Sequence, residues 1–363
     1  MRTICVGRGL GLVLLITAAG RAAAPEHLHY AGFLDGKIAV SMELTTQEGG
    51  KVGGTYQYAI AGKDLYLAGA LKGSAVVLTE TTRDDKTTGT FRLMRNTDGS
   101  LTGTWTSGDA KRVLEVGLAR VAETVTLAAR KPDAYNVETG YLQFPLRNDF
   151  LRDLNDLLAA EAAHAQPAAL KEALADGKEQ AKLARHEEWS SQSDPHVTYA
   201  DAGFISIRTM KYAYTGGAHG NYGYTAANYA WRNGLVVLKL SDIVDTRPAA
   251  LQSMAKACIK SLTAQKATSP DDLVFNSDHP PTLNVTRAGL LFTFDPYAVG
   301  SYAEGVYTVL IPWKEAGEYV PATSAVRRLM EPAAVAPPAD KPDKPEKAAP
   351  APAGTGADFP RPG

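Results

Sequence analysis

The chain has few cysteines, no surplus of charge of either sign and none of the common catalytic motifs. Its 363 residues include two cysteines, and 38 Lys and Arg residues balance 39 Asp and Glu residues. A balanced charge without a basic cluster argues against nucleic-acid binding. The sequence contains no Gly-x-Ser-x-Gly, Gly-x-x-x-x-Gly-Lys-Ser/Thr or His-Glu-x-x-His. It therefore lacks the usual signatures of a serine hydrolase, a phosphate-binding loop and a zinc protease.

The first residues contain the one long apolar run. The segment "GLGLVLLITAAG" follows Arg2 and Arg8 and ends in "RAAAP", which is the order of a secretory signal peptide. We predict a signal peptide over residues 1–22 and a periplasmic or secreted protein without a transmembrane segment. Cys5 leaves with this peptide, so no internal disulfide can form. The remaining Cys258 shares a helical face with apolar residues, which predicts that it is buried.

The hydrophobic period changes along the chain. Residues 28–121 contain short strands separated by Gly, Asp and Asn, which predicts an all-β meander forming a small barrel or sandwich. Residues 122–140 are polar and are predicted to be a linker. Runs of helices and strands over 141–330 favour an α+β domain, with the first helix ending at Pro167. Residues 331–363 are rich in Pro and Ala, which predicts a disordered tail.

The stretch "YAYTGGAHGNYGYTAANYAW" lies between two predicted strands, "FISIRTMKYAY" and "NYGYTAANYAW". It does not open a helix, so it lacks the aligned amides of an anion site, and a hairpin turn is predicted instead. Gly216 and Gly217 permit this turn, and His219 is its polar anchor. A second segment, "FTFDPYAVGSYAEGVYTVLIPW", has the same composition, with Pro296 and Tyr297 between two strands.

The tyrosines around the first turn have two explanations. Tyr212 and Tyr214 precede the turn, whereas Tyr222, Tyr224 and Tyr229 follow it, and the two-residue period of strands places some of them on one face. Cross-strand aromatic pairs would stabilise the hairpin by about 0.2 to 1 kcal/mol each. The same residues would also suit a recognition surface, because tyrosine offers a large contact area for little lost side-chain entropy.

The seven histidines do not require a metal site. His27 and His29 are predicted to lie in an exposed N-terminal segment, and the others are spread over helices and loops. A hydrolytic zinc site needs about three ligands and an open position, which no spacing here demands. We therefore predict no metal and no cofactor. One alternative stays open, a peptidoglycan hydrolase or deacetylase that uses His219 with an acid such as Asp201 or Asp278.

Three segments follow one another along the chain: "YLQFPLRNDFLRDLNDLL", then "SIRTMKYAYTGGAHGNYGYTAANYAWRNGLVVLKLSDIV", then "LLFTFDPYAVGSYAEGVYTVLIPW". Over roughly residues 135–330 the chain resembles the extracellular domain of RsiV-type anti-sigma factors. The same module is similar to the non-catalytic part of PdaC-type peptidoglycan deacetylases. The matched positions are Tyr214, Gly216, Gly217, Ala218 and His219 in the first motif, and Pro296, Tyr297, Gly300, Tyr302 and Gly305 in the second.

The resemblance implies an α+β domain with helices packed on an antiparallel sheet and, by analogy with the sensors, binding of lysozyme. The chain departs from those families because it has neither a membrane-spanning sensor helix nor a deacetylase catalytic domain. We therefore expect a non-enzymatic cell-envelope protein that recognises a protein such as lysozyme or a component of the cell wall. The predicted binding residues are Tyr214, Gly216, Gly217, His219, Tyr222, Tyr224, Pro296, Tyr297 and Tyr302.

Overall fold

Eight antiparallel strands near the start of the chain close into a barrel. A computed structural model describes residues 26–58, 64–182 and 188–330. The strands are β1 (Glu26–Leu34), β2 (Ile38–Thr46), β3 (Lys51–Tyr58), β4 (Asp64–Lys72), β5 (Ala75–Thr81), β6 (Thr87–Arg95), β7 (Leu101–Ser107) and β8 (Val113–Lys131). Each strand pairs with the next, and β1 also pairs with β8, so that the barrel has no open edge.

Alternation along the strands explains the filling of the barrel. In β1, Leu28 and Tyr30 are buried in its core together with large residues such as Phe91 and Trp105. The Trp105 indole donates a hydrogen bond of 3.2 Å to the carboxylate of Glu80, which provides the polar partner that a buried indole needs. The predicted meander is thus a barrel whose interior is occupied by its own side chains.

The sheet continues beyond the barrel because β8 is 19 residues long. Its second half pairs with β9 (Tyr135–Gln143), and β10 (Trp189–Ala200), β11 (Phe204–Tyr214), β12 (Asn221–Trp231) and β13 (Leu235–Val237) follow in order. A separate antiparallel sheet contains β14 (Thr282–Val285), β15 (Gly289–Phe294) and β16 (Tyr307–Pro312). The helices are α1 (Asp149–Lys182), α2 (Pro248–Ala264) and α3 (Trp313–Ala316).

The predicted fold class is wrong. The chain is mostly β, and its second part is not an α+β domain with helices on an antiparallel sheet, because its main sheet extends from the barrel and contains the parallel pair β9–β10. The predicted linker at 122–140 belongs instead to β8 and β9. Its polar residues form one face of a pairing hairpin, and a polar sequence alone does not distinguish such a hairpin from a linker.

The first helix of the second part also differs from its prediction. α1 runs through Pro167, which was expected to end it. Proline costs a helix interior about 3 kcal/mol, and tertiary packing offsets this cost. Buried side chains before the proline, including Phe150 and Leu154, pack in one cluster with Leu142 of β9, and Ala173 after it is buried with Val137.

The helix α2 forms where its pattern predicts it. Pro248 stands in its first turn, and the five residues of its apolar face are all buried: Leu251, Met254, Ala255, Cys258 and Leu262. The predicted burial of Cys258 is therefore confirmed, and this burial raises the pKa of its thiol to about 12. No helix in the described residues is long and apolar enough to cross a bilayer. The predicted signal peptide and tail lie outside the described residues.

Candidate aromatic binding site

The hairpin of β11 and β12 presents the first motif. Both strands have the bounds that the sequence predicts. Tyr212 pairs with Tyr222, and Met210 pairs with Tyr224, so these three tyrosines lie with Tyr214 on one face of the hairpin. None of these four is buried in the core. All four side chains are half-buried, so the hairpin face is partly covered.

The turn has the conformation that its glycines permit. Gly216 and Gly217 have φ values of 97° and 99°, a region that side-chain-bearing residues rarely adopt. The hydroxyl of Tyr214 donates to the carbonyl of Gly217 at 3.0 Å, and Nδ1 of His219 donates to the carbonyl of Gly220 at 3.0 Å. These bonds are local, so Tyr214 and the glycines shape the turn, while the exposed His219 ring is held at its end.

The second motif docks onto this hairpin from the connection between β15 and β16. The backbone N–H of Tyr224 donates to the carboxylate of Asp295 at 2.8 Å. A Cβ atom at Gly223 would lie 2.7 Å from the same carboxylate, so the close approach requires glycine there. Burial raises the pKa of Asp295. Asp295 thus joins two segments that are 71 positions apart in the sequence.

Tyr302 is the centre of the assembled site. Its ring stacks on His219 with centroids 4.0 Å apart, and it meets Tyr222 edge to face at 5.9 Å and Tyr297 at 5.6 Å. The Tyr302 hydroxyl donates to the carbonyl of Gly220 at 2.6 Å. We call these four rings, from His219, Tyr222, Tyr297 and Tyr302, the aromatic face. Such pairs contribute about 0.5 to 1.5 kcal/mol each beyond the area they bury.

Tyr297 is the outstanding residue of the aromatic face. Its side chain is 65% exposed, and its backbone has a φ of 72°. A bulky residue in the left-handed region is strained, and strain of this kind clusters at ligand-binding positions. The preceding Pro296 is half-buried and leads out of β15. The loop therefore holds a large ring in solvent at the cost of backbone strain.

Tyr224 belongs to the same hairpin face but has another neighbour. The guanidinium of Arg208 lies 5.1 Å from the centroid of the Tyr224 ring. Both residues line a cavity of about 160 Å³ between the barrel and the second part of the chain. Of the predicted binding residues, the structure thus brings His219, Tyr222, Tyr297 and Tyr302 into ring contact and places Tyr224 at the adjacent cavity.

Glu304 was missed by the sequence reasoning. Its carboxylate accepts hydrogen bonds from the backbone N–H and hydroxyl of Ser301 at 2.7 and 2.8 Å, from the Thr268 hydroxyl at 2.8 Å and from the Tyr307 hydroxyl at 3.0 Å. The Ser301 backbone bond, followed by the Thr268 and Ser301 side chains, lowers the pKa of Glu304 to about 2. The spacing Ser-x-x-Glu is a capping box, so a signal for this anchor was present in the sequence.

The order of the Tyr302 loop should depend on the charge of Glu304. A carboxyl whose folded pKa lies near 2 stabilises the loop above its ordinary pKa of 4.5, and this contribution is lost as the pH falls from 4.5 towards 2. We expect the protection factors of the loop amides, which are exchange rates corrected for the intrinsic effect of pH, to fall over this range, as measured by hydrogen-exchange mass spectrometry. Glu304→Gln should give lower protection factors already at pH 7 and remove their pH dependence over this range. Equal profiles for the two proteins would contradict the anchor.

The two acids considered for catalysis have other partners. Asp201 accepts two hydrogen bonds from Arg328, at 2.8 and 2.9 Å, and one from the Tyr199 hydroxyl at 2.9 Å. It follows β10, at the end of the β10–β11 hairpin opposite to His219, and an 11-residue strand separates the two by roughly 30 Å. Asp278 lies in an exposed loop, and no described contact joins it to His219.

Two family models match the part of the chain that begins in β8. Residues 128–222 match the family described as "Deacetylase PdaC", and residues 241–314 match "Protein of unknown function (DUF3298)". These matches confirm the likeness to PdaC-type proteins. Neither match concerns RsiV-type anti-sigma factors. The two domains indicate a protein related to the cell envelope, whose specific function neither description states.

Solved structures of the second family are similar to this chain. A DUF3298 family protein from Pseudomonas aeruginosa PAO1 is 22% identical, with a TM-score of 0.40, over 55% of this chain and 94% of its own. A member of the family from Bacteroides fragilis NCTC 9343 is 18% identical, with a TM-score of 0.42, over 58% of this chain and 96% of its own. No curated protein matches the chain.

Proposed function

We propose that this protein is a non-enzymatic binding protein of the bacterial cell envelope. In this proposal, the aromatic face recognises a protein such as lysozyme or a component of the cell wall. The observation that carries the proposal is the exposed Tyr297 ring, which a strained backbone holds beside Tyr302, the residue that stacks on His219. Exposed aromatic rings that are already ordered lose little entropy on binding, which makes them effective contact residues.

The chemistry of the aromatic face favours contact over catalysis. Nδ1 of His219 donates to a backbone carbonyl, and the ring stacks on Tyr302, so the histidine is oriented without a carboxylate partner in the described residues. The carboxylate of Glu304 is engaged by loop hydroxyls and N–H groups. The alternative of a deacetylase is supported by the description of one matched family alone.

Location outside the cytoplasm is part of the same proposal. It is supported by the leader-like order of residues 1–22, in which arginines precede an apolar run and small residues follow it. Expression of the full chain in a bacterial host, followed by N-terminal sequencing of the protein from the periplasm or medium, tests this location. An uncleaved protein that stays in the cytoplasm would contradict it.

Binding measurements with single variants test the aromatic face. Lysozyme and soluble peptidoglycan fragments are titrated separately into the protein by isothermal titration calorimetry, which also identifies the ligand class. Tyr297→Ala and His219→Ala should weaken binding by about 5-fold to 100-fold, the range for contact residues worth about 1 to 3 kcal/mol. Tyr297 is the sharper test because its exposed side chain adds little to the core.

A matched control comes from the barrel. Tyr66 of β4 is 43% exposed and lies outside the two motifs, so Tyr66→Ala should leave the affinity unchanged. If lysozyme and peptidoglycan fragments both fail to bind, the proposed ligand classes are wrong. If binding occurs but ignores both Tyr297→Ala and His219→Ala, the aromatic face is the wrong surface.

A further inference from the structure

Three histidines and one glutamate lie close together where β10 contacts the outside of the barrel. In β1, His27 and His29 alternate with side chains that point into the barrel, so both imidazoles face outward. Glu43 of β2 stands directly opposite His29 in the strand register. His196 comes from β10, 153 positions after Glu43 in the sequence. We call these four residues the histidine cluster.

The nitrogens of the histidine cluster surround a single carboxylate. Oε2 of Glu43 lies 2.6 Å from Nδ1 of His196 and 3.8 Å from Nε2 of His27, and Oε1 lies 3.3 Å from Nδ1 of His29. The ligand atoms of His27, His29 and Glu43 are all within 4.8 Å of one another. The arrangement offers three imidazole nitrogens and one carboxylate.

His29 has a buried nitrogen that its surroundings leave unsatisfied. The side chain is almost fully buried, at 1% exposure, and its Nε2 lies 2.7 Å from the hydroxyl of Thr124. Its Nδ1 has no hydrogen-bond partner in the described residues, although Glu43 is near, because the geometry is unsuitable. A buried polar atom without a partner is costly, so the position is explained best by a group that the protein chain does not supply.

The contact with Thr124 is of the kind that metal-ligating histidines have. A metal ligand binds through one ring nitrogen while the other donates its N–H to an oxygen, which fixes the tautomer and the ring orientation. In the tautomer that carries its proton on Nε2, that proton is donated to the Thr124 hydroxyl and the lone pair of Nδ1 points towards the cluster. Glu43 and His196 also line the 160 Å³ cavity beside the cluster, which provides a path for an ion from solvent.

We propose that His27, His29, Glu43 and His196 bind one divalent transition-metal ion, for which zinc is the best match. Imidazole nitrogens and carboxylate oxygens both bind zinc, which favours four ligands in a tetrahedron, whereas calcium and magnesium prefer oxygen ligands. The ion would join two strands of the barrel to β10 and so link the barrel to the second part of the chain. The histidine cluster shares no residue with the aromatic face, and the two proposals are independent.

The histidines of β1 lie in a different environment from the one that the sequence predicts. His27 and His29 were expected in an exposed N-terminal segment, but β1 is part of the barrel wall and His29 is buried. No metal site was expected either, because no spacing of ligands in the sequence demands one. Only the tertiary contact of β10 with the barrel brings His196 to Glu43.

Metal titration of the tag-free full chain tests the site. The protein is stripped with a chelator, dialysed and titrated with zinc chloride by calorimetry, with an expected stoichiometry of one ion per chain. At a zinc concentration of about 100 times Kd, the melting temperature should rise by about 4 °C. Substitution by cobalt should give the intense visible absorption of a tetrahedral site. Failure of the wild-type chain to bind zinc would overturn the proposal.

Variants distinguish the histidine cluster from other zinc-binding surfaces. His29→Gln and Glu43→Gln should raise the Kd for zinc at least 100-fold, and circular dichroism checks that both remain folded. If either does not fold, the half-buried His27→Gln and His196→Gln provide the test, with an expected loss of at least 10-fold. The exposed His279 lies in a distant loop, so His279→Gln should bind zinc as the wild type does. Equal affinity in all these variants would overturn the proposal.

Discussion

Replacing Phe292 by alanine should lower the free energy of unfolding by about 3 to 5 kcal/mol. Phe292 lies in the middle of β15 and is completely buried, and its ring stacks on Phe275 at a centroid distance of 5.7 Å. Phe294 of the same strand also stacks on Phe275, with the ring centroids 6.2 Å apart. The substitution removes a large side chain from a packed core and leaves a cavity.

The consequence extends to the aromatic face, because β15 ends where the Tyr297 loop begins. Urea unfolding followed by circular dichroism measures the loss of stability. Val274→Ala is a matched control, since Val274 precedes Phe275 in sequence but is 55% exposed, and its change should stay within about 0.5 kcal/mol. A loss below 1 kcal/mol for Phe292→Ala would contradict the packing described for this core.

Replacing Asn284 by alanine should cost about 2 to 4 kcal/mol, because it opens the polar junction between the two sheets. Asn284 of β14 is fully buried, and its amide donates to the Ser206 hydroxyl at 3.0 Å and to the Ile207 carbonyl at 2.9 Å. The backbone N–H of Val285 also donates to the Ser206 hydroxyl, at 3.0 Å. Alanine would leave the Ile207 carbonyl without this partner in a site that excludes water.

The same urea experiment measures this effect. Asn221→Ala serves as the control, because Asn221 is exposed at the start of β12 and its change should be within about 0.5 kcal/mol. Asn284→Asp keeps the size of the side chain but replaces the donating amide with a carboxylate. It should therefore destabilise the protein as well. If Asn284→Asp were as stable as the wild type, the donated hydrogen bonds would not hold the junction.

The two motifs of the candidate site could each be recognised from the sequence. The glycines of the turn and the alternating tyrosines of β11 and β12 predict a hairpin, and its bounds are confirmed. The cluster of Pro296, Tyr297 and Tyr302 was recognised as a second motif of similar composition. The contact between the two motifs was not predictable from these patterns, because it depends on the hydrogen bond that the backbone N–H of Tyr224 donates to Asp295.

The fold shows the same division between local and distant interactions. Helix α2 and the burial of Cys258 follow from apolar residues within 17 positions, and the structure confirms both. β10 was missed because "WSSQSDPHVTYA" contains few strand-forming residues, and its conformation is imposed by pairing with β9 and β11. The polar segment 122–140 was misread for the same reason.

The sequence by itself determined the structures whose causes lie within a few turns or one hairpin: the strands that flank the Gly216–Gly217 turn, the apolar face of α2 and the alternation in the barrel strands. Tertiary structure alone decided the closure of β1 on β8, the stacking of His219 on Tyr302 and the approach of His196 to Glu43. The physical reason is that periodicity records which face of an element is apolar, whereas it does not record which distant element will cover that face.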